Sequence, residues 1–172
     1  MVASERTCLK NAPSVFKNCI WEQVTEVAKL RSCNVASHDP VESRSSMAYF
    51  IDIAQATKEN VSYRNTLWTG DHLQLVAMHL HAREETEIDN HSNGDILLSI
   101  VQGYGLLLIG DQKDRMTLKK SLTRHYSIII PAGTYHKFIN LGKVPLKFHL
   151  LYTSPRHPAG TIHERPKDAI EV

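Results

Sequence analysis

A chain of 172 residues is long enough for one domain with a buried core, and 42% hydrophobic with 22% charged residues is typical of a globular protein. Twenty Lys and Arg nearly balance 18 Asp and Glu, so the charge gives no argument for binding nucleic acid or an anionic membrane. No apolar run approaches the ~18 residues that cross a bilayer. Residues 1–6 lack the basic-then-apolar pattern of a signal peptide, so we expect a cytoplasmic protein.

The first 45 residues carry a different pattern from the rest of the chain. After Pro13, the apolar residues recur at spacings that place them on one face of a helix: Phe16, Cys19, Ile20, Val24 and Val27. Residues 34–46 contain Pro40 and four serines, which is typical of a linker. The sequence therefore predicts an N-terminal helical extension and linker over residues 1–45, followed by a separate domain over residues 46–172.

The three cysteines, Cys8, Cys19 and Cys33, all belong to the N-terminal extension. Their number is odd and no two of them form a C-x-x-C pair, so a zinc knuckle is not predicted. We expect them to be free thiols, as in a reducing compartment.

A helical turn is predicted over residues 52–57, and from residue 60 onward the pattern changes to short β runs. The predicted strands cover residues 61–68, 73–81, 96–102, 104–109, 116–122, 126–130, 136–141 and 146–152. Turn residues separate them, which is typical of a β-sandwich or barrel. No segment between them is long enough for crossover helices, so a parallel α/β sheet is disfavoured.

A tight turn is predicted directly before His136, and it would direct this side chain into the barrel. Pro131 and Gly133 form a tight turn, and His136 follows at the start of a predicted strand. The two-residue period of a strand places His136, Phe138 and Asn140 on one face.

A second group of polar side chains precedes the strand that begins at Ile96. Asp89 and His91 are two residues apart, so a strand there would place both side chains on one face. Together with His136 they offer two imidazoles and one carboxylate. Such a set leaves positions open on Mn, Fe, Ni or Zn for water or a ligand.

The segment around His136 resembles the second cupin motif, P-x-G-x-x-H-x-x-x-N, at Pro131, Gly133, His136 and Asn140. His125 stands where this family has a glycine six residues before the proline. Segments 65–74 and 157–163 resemble a group of small single-domain bacterial cupins that are described as similar to mannose-6-phosphate isomerase. The resemblance covers about residues 48–168 and implies an all-β fold, a cupin-type antiparallel barrel or jelly roll.

The first cupin motif is only partly present. Asp89 takes the place of its first histidine and His91 that of its second, while Ile96 stands at the position of its glutamate. Asp95 fits a shorter spacing after His91 and could replace that glutamate. The four-ligand site of the family therefore does not carry over whole.

The resemblance implies a small polar or carbohydrate-like ligand inside the barrel, and we expect Ile96, Leu98 and Phe138 to contact it. It also favours a homodimer. An enzyme of this kind would be a metal-dependent isomerase or oxygenase, with the metal acting as a Lewis acid. The alternative is a non-catalytic ligand-binding or sensing cupin with a metal-free pocket, which Ile96 favours.

A competing H-x-H-x3-E pattern occurs at His79, His81 and Glu85. It lies on an alternating strand whose other face is apolar, at Met78 and Leu80. We therefore expect these histidines on the more exposed face of that strand and not in a metal site.

Overall fold

The computed structural model describes residues 48–169 of the chain. The helix and linker predicted over residues 1–45, and with them the three cysteines, lie outside the described residues. Within residues 48–169, no helix has the length and apolar character that a membrane crossing requires.

The described chain begins with one short helix. Helix α1 spans Ile53–Glu59, and the side chain of Asp52 caps it by accepting a hydrogen bond of 2.9 Å from the Gln55 amide. The helical turn predicted over residues 52–57 is confirmed.

Ten strands follow α1, and a short 3₁₀ helix, Pro166–Ala169, follows the last of them. The strands are β1 Arg64–Thr69, β2 Gln74–Leu80, β3 Asp89–Asn90, β4 Ile96–Gln102, β5 Tyr104–Gly110, β6 Leu118–Thr123, β7 Ser127–Ile130, β8 Tyr135–Asn140, β9 Leu146–Tyr152 and β10 Ile162–His163. Each of the eight predicted strands is present within a few residues. Strands β3 and β10 were not separate strands in the prediction, because two residues are too few to show alternation.

The strands form two antiparallel sheets. The larger sheet has the order β10-β1-β2-β9-β4-β7, and the smaller has the order β3-β8-β5-β6. Every pairing between these strands is antiparallel, so the predicted all-β antiparallel architecture is confirmed.

The hydrophobic core lies between the two sheets. Alternate residues of each strand point inward, and on β9 these are Leu146, Phe148, Leu150 and Tyr152, each at most 3% exposed. Phe138 of β8 packs against Phe148 with ring centroids 4.9 Å apart. The small and large sheets are thus joined by side chains that interdigitate between them.

Helix α1 covers part of the outer face of the larger sheet, where it packs against β9, β4 and β2. His79 on β2 is only 6% exposed there, and its Nδ1 lies 3.2 Å from the carbonyl of Asn60. The prediction that both His79 and His81 lie on an exposed face is therefore wrong for His79 and correct for His81. The reason is the helix, which turns an outward-facing position into a buried one.

Another part of that outer face carries an apolar row. Leu151, Leu97 and Ile129 are neighbours across β9, β4 and β7. Leu97 is 40% exposed and Ile129 is 71% exposed. The neighbouring row across the same strands is polar, with His149, Ser99 and Ser127.

Candidate functional site

A cavity of about 510 Å³ opens between the two sheets. Its apolar wall includes Met78, Phe138 and Leu150. Charged and polar side chains complete it, among them Arg64, Glu87, Asp89, Lys113, His136 and Arg156. Its volume lies within the ~300–1,000 Å³ that is usual for small-molecule pockets.

His136 reaches this cavity from the start of β8. Gly133 in the preceding turn has a φ of 78°, which a glycine adopts without strain. The Nδ1 of His136 lies 3.1 Å from the carbonyl of Thr134, and because a carbonyl only accepts, Nδ1 carries the proton. The lone pair is then on Nε2. Burial lowers the pKa of His136, so the neutral imidazole is favoured.

His91 follows β3 and is 7% exposed. Its ring meets the ring of Tyr152 edge-on, with centroids 5.2 Å apart. Burial lowers the pKa of His91, and the nearby charge of Arg156 lowers it further. Its Nε2 is buried and has no hydrogen-bond partner among residues 48–169.

Asp89 is the cross-strand neighbour of His136 in the pairing of β3 with β8. Its carboxylate is already engaged, because Nη2 of Arg156 donates to Oδ1 over 2.6 Å. Arg156 also donates through Nη1 to the carbonyl of Asn90 over 3.2 Å. The guanidinium therefore holds β3 against the loop that follows β9 and neutralises the carboxylate.

Three hydrogen bonds fix the segment around His91 to the turn before His136. The amide of Gly133 donates to the carbonyl of His91 over 2.9 Å, and Nδ2 of Asn90 donates to the carbonyl of Gly133 over 2.8 Å. The amide of Ala132 donates to Oδ1 of Asp95 over 2.9 Å. One backbone–backbone bond and two side-chain bonds, from Asn90 and to Asp95, thus connect the segments that carry the two histidines.

The remaining predicted site residues lie elsewhere. Asp95 accepts from the turn, as just described. Ile96 is 1% exposed and Leu98 is 0% exposed, and both belong to the hydrophobic core and are not among the side chains that line the cavity. Phe138, the third residue predicted to contact a ligand, does line the cavity.

These placements bear on whether the residues fit a metal ion. The two histidines fit, since each favours a neutral ring and the Nε2 of His91 has no partner among the residues that the structure describes. The carboxylates fit less well, because Asp89 is paired with Arg156 and Asp95 binds the turn. Among residues 48–169, no group of three or more His, Cys, Asp or Glu side chains is arranged to hold a metal.

Several cavity residues were not identified from the sequence. Arg64 begins β1 and Tyr63 directly precedes it, Lys113 lies in the loop between β5 and β6, and Arg156 lies in the loop after β9. None belongs to a motif, and only the pairing of distant strands brings them together. Burial raises the pKa of Tyr63 and of Tyr152 to about 12, so both phenols stay protonated.

Asn140, the last residue of the second cupin motif, has a structural role. It is 1% exposed, and its Nδ2 donates to the carbonyls of Leu80, His81 and Val144 over 2.9–3.0 Å. Its Oδ1 accepts from the amide of Gly142 over 2.8 Å. Asn140 therefore fastens the end of β2 to the turn that follows β8.

No protein-family model matches this chain. The chain is 36% identical over 149 residues to the protein YrkC of Bacillus subtilis. This alignment covers 87% of this chain and 80% of YrkC. It is 34% identical over 124 residues to the protein L612 of Acanthamoeba polyphaga mimivirus, covering 72% of this chain and 76% of L612.

Solved structures resemble the fold as well. The crystal structure of BH2720 from Bacillus halodurans is 35% identical, with a TM-score of 0.71 over 76% of this chain and 98% of that one. A double-stranded β-helix protein from Klebsiella pneumoniae is 16% identical, with a TM-score of 0.52 over 69% of this chain and 100% of that one. The double-stranded β-helix is the barrel of cupins, so the predicted fold class is confirmed. The narrower resemblance to mannose-6-phosphate isomerase-like cupins stays a prediction.

Proposed function

Because this chain belongs to the family of YrkC and has the cupin barrel, we propose that it binds a small polar molecule in the cavity between its two sheets. The observation that carries the proposal is the cavity itself, about 510 Å³ in volume. Protein interiors are packed with few voids larger than a water molecule, so a space of this size beside a well-packed core suits a ligand.

The chemistry of the cavity wall supports a polar ligand. The phenols of Tyr63 and Tyr152 stay protonated because burial raises the pKa of each to about 12, so each can donate a hydrogen bond. Met78 and Phe138 supply apolar contact for the carbon frame of such a molecule. Binding of this kind uses only groups that the chain itself provides, which suits the alternative of a non-catalytic ligand-binding or sensing cupin.

A cavity-filling substitution tests this proposal. Leu150→Trp should fill part of the cavity, and Leu97→Trp on the exposed outer face is the matched control. We expect saturation-transfer NMR signals from glucose, glycerol or succinate with the wild type and with Leu97→Trp, and their loss with Leu150→Trp. Circular dichroism should confirm that both variants fold. Binding that survives Leu150→Trp, or no binding of any of these probes to the wild type, would contradict the proposal.

A second candidate function is metal-dependent, and the unpartnered Nε2 of His91 favours it. A buried nitrogen without a hydrogen-bond partner is costly, and a metal ion would satisfy it. In this proposal Asp89, His91 and His136 bind one Mn, Fe, Ni or Zn ion, with Asp95 as a fourth ligand, and Asp89 leaves its ion pair with Arg156. Such a site would suit a metal-dependent isomerase or oxygenase.

Metal analysis of protein purified without chelator separates the two candidates. If the metal site exists, the wild type holds stoichiometric metal, His136→Ala loses it, and His72→Ala, which changes an exposed histidine, keeps it. Ile96→Glu adds the missing carboxylate and should tighten binding, provided that circular dichroism shows a folded barrel. Metal on Ile96→Glu but not on the wild type would favour the metal-free pocket. If neither binds metal, the proposed placement of the site is wrong.

A further inference from the structure

Arg64 places a positive charge in the cavity, and no carboxylate within residues 48–169 pairs with it. It begins β1, and its cross-strand neighbour on β2 is Met78, which also lines the cavity. Paired residues on antiparallel strands point to the same face, so the register directs Arg64 inward. Its Nε is buried and has no hydrogen-bond partner among the described residues.

Two further contacts of the Arg64 side chain lie within the described part of the chain. Nη1 lies 3.5 Å from Nδ1 of His163, which is a long contact for a hydrogen bond, and the guanidinium carbon lies 5.8 Å from the centre of the Tyr63 ring. Between residues 48 and 169, no ion pair involves this side chain. A buried guanidinium donor without an acceptor costs free energy that a bound acceptor would recover.

Arg156 lines the same cavity but differs from Arg64, because its guanidinium already has a carboxylate partner. Its guanidinium is occupied by Asp89 and by the carbonyl of Asn90. With that ion pair set aside, the remaining charged side chains of the cavity wall are Arg64, Lys113 and Glu87. The two cations and one anion leave an excess positive charge, which favours an anionic ligand.

We propose that Arg64 binds the anionic group, a carboxylate or a phosphate, of the molecule that occupies the cavity. The planar guanidinium offers several N–H donors in a fixed fork, which matches two oxygens of either group. The protonated phenol of Tyr63 lies next to it and can add a donor. This inference rests on the proposed function, because it concerns the ligand of the same cavity.

The test follows the Nε–Hε NMR signal of Arg64, which is assigned by its absence in Arg64→Lys. Succinate and inorganic phosphate are the anionic probes, and glucose is the neutral one; the Met78 methyl signal reports on the cavity independently. We expect the Arg64 signal to shift and saturate with succinate or phosphate at concentrations below ~10 mM, which is the range of weak but specific binding. The anion with the stronger binding identifies the group as carboxylate or phosphate.

Substitution then measures the contribution of Arg64. Arg64→Gln, which removes the charge, should weaken binding of the preferred anion at least about tenfold, whereas the exposed control Arg124→Lys should leave it unchanged. Equal binding to Arg64→Gln and the wild type would overturn the inference, as would an Arg64 signal that neither anion shifts.

The same titrations distinguish this inference from the proposed function. If glucose shifts the Met78 methyl signal while neither anion shifts Arg64, the cavity binds ligands and only the role of Arg64 is wrong. If no probe shifts either signal, the proposed function fails with it.

Discussion

Asn140 offers the sharpest test of how this barrel is held together. Replacing it by Ala removes the donor to the carbonyls of Leu80, His81 and Val144 and the acceptor for the amide of Gly142. A net hydrogen bond contributes about 1 kcal/mol, and a buried group left unpaired costs about 1–3 kcal/mol. Leu80 is fully buried, whereas the turn around Gly142 can be reached by water. We therefore expect Asn140→Ala to lower the free energy of unfolding by about 3 kcal/mol.

Urea denaturation followed by circular dichroism measures this loss, and thermal denaturation should show it as a fall in Tm of about 10 °C for a domain of this size. Asn140→Asp keeps the acceptor for Gly142 but points a second acceptor at three carbonyls, so it should be less stable than Asn140→Ala at neutral pH. Asn93 is exposed, and Asn93→Ala should change stability by less than about 0.5 kcal/mol. A loss below about 1 kcal/mol for Asn140→Ala, or an Asp variant as stable as the Ala variant, would refute the reasoning.

Other expectations follow from single positions. His125 has a φ of 76°, so His125→Gly should raise the free energy of unfolding by about 0.5–1 kcal/mol in urea denaturation, and a decrease would contradict this. Burial, together with the charge of Lys147, lowers the pKa of His79 in the folded state, so the unfolded chain binds more protons. Stability should therefore fall as the pH drops below about 6.5, and less steeply in His79→Gln; equal slopes would show that His79 is not responsible. If the predicted homodimer forms through the apolar row, light scattering at high micromolar concentration should show a dimer that Ile129→Lys converts to a monomer. A monomeric wild type would refute the dimer itself. A truncated chain that starts at residue 46 should give the circular dichroism spectrum of a folded β protein, and an unfolded product would contradict the predicted domain boundary.

Much of the barrel could be predicted from the sequence because its signals are local. Alternating side chains and turn residues mark the eight longer strands, and the turn of Pro131 and Gly133 places His136 at the start of β8, as predicted. The glycine that the cupin motif has at position 125 is also understandable, since the backbone there has a positive φ.

The parts that could not be predicted depend on distant segments. The burial of His79 requires α1 to lie across the sheet, and a strand pattern does not contain that information. Arg64 and Arg156 reach the cavity only because β1 and the loop after β9 come together in the fold. Spacing predicted that Asp89 and His91 share a strand face and the cupin resemblance implied that they lie near His136, but neither revealed that Arg156 pairs with Asp89.

The three hydrogen bonds between the segment around His91 and the turn before His136 have a consequence for how this site can change. One of these bonds joins two backbone groups and the other two use the side chains of Asn90 and Asp95, so none of them involves the side chain at position 96 or a side chain of the apolar cavity wall. A substitution in the apolar cavity wall would therefore leave the groups that form these three hydrogen bonds unchanged. Related chains could therefore differ in the side chains of the cavity wall, and so in ligand specificity, and still keep the connection between these two segments.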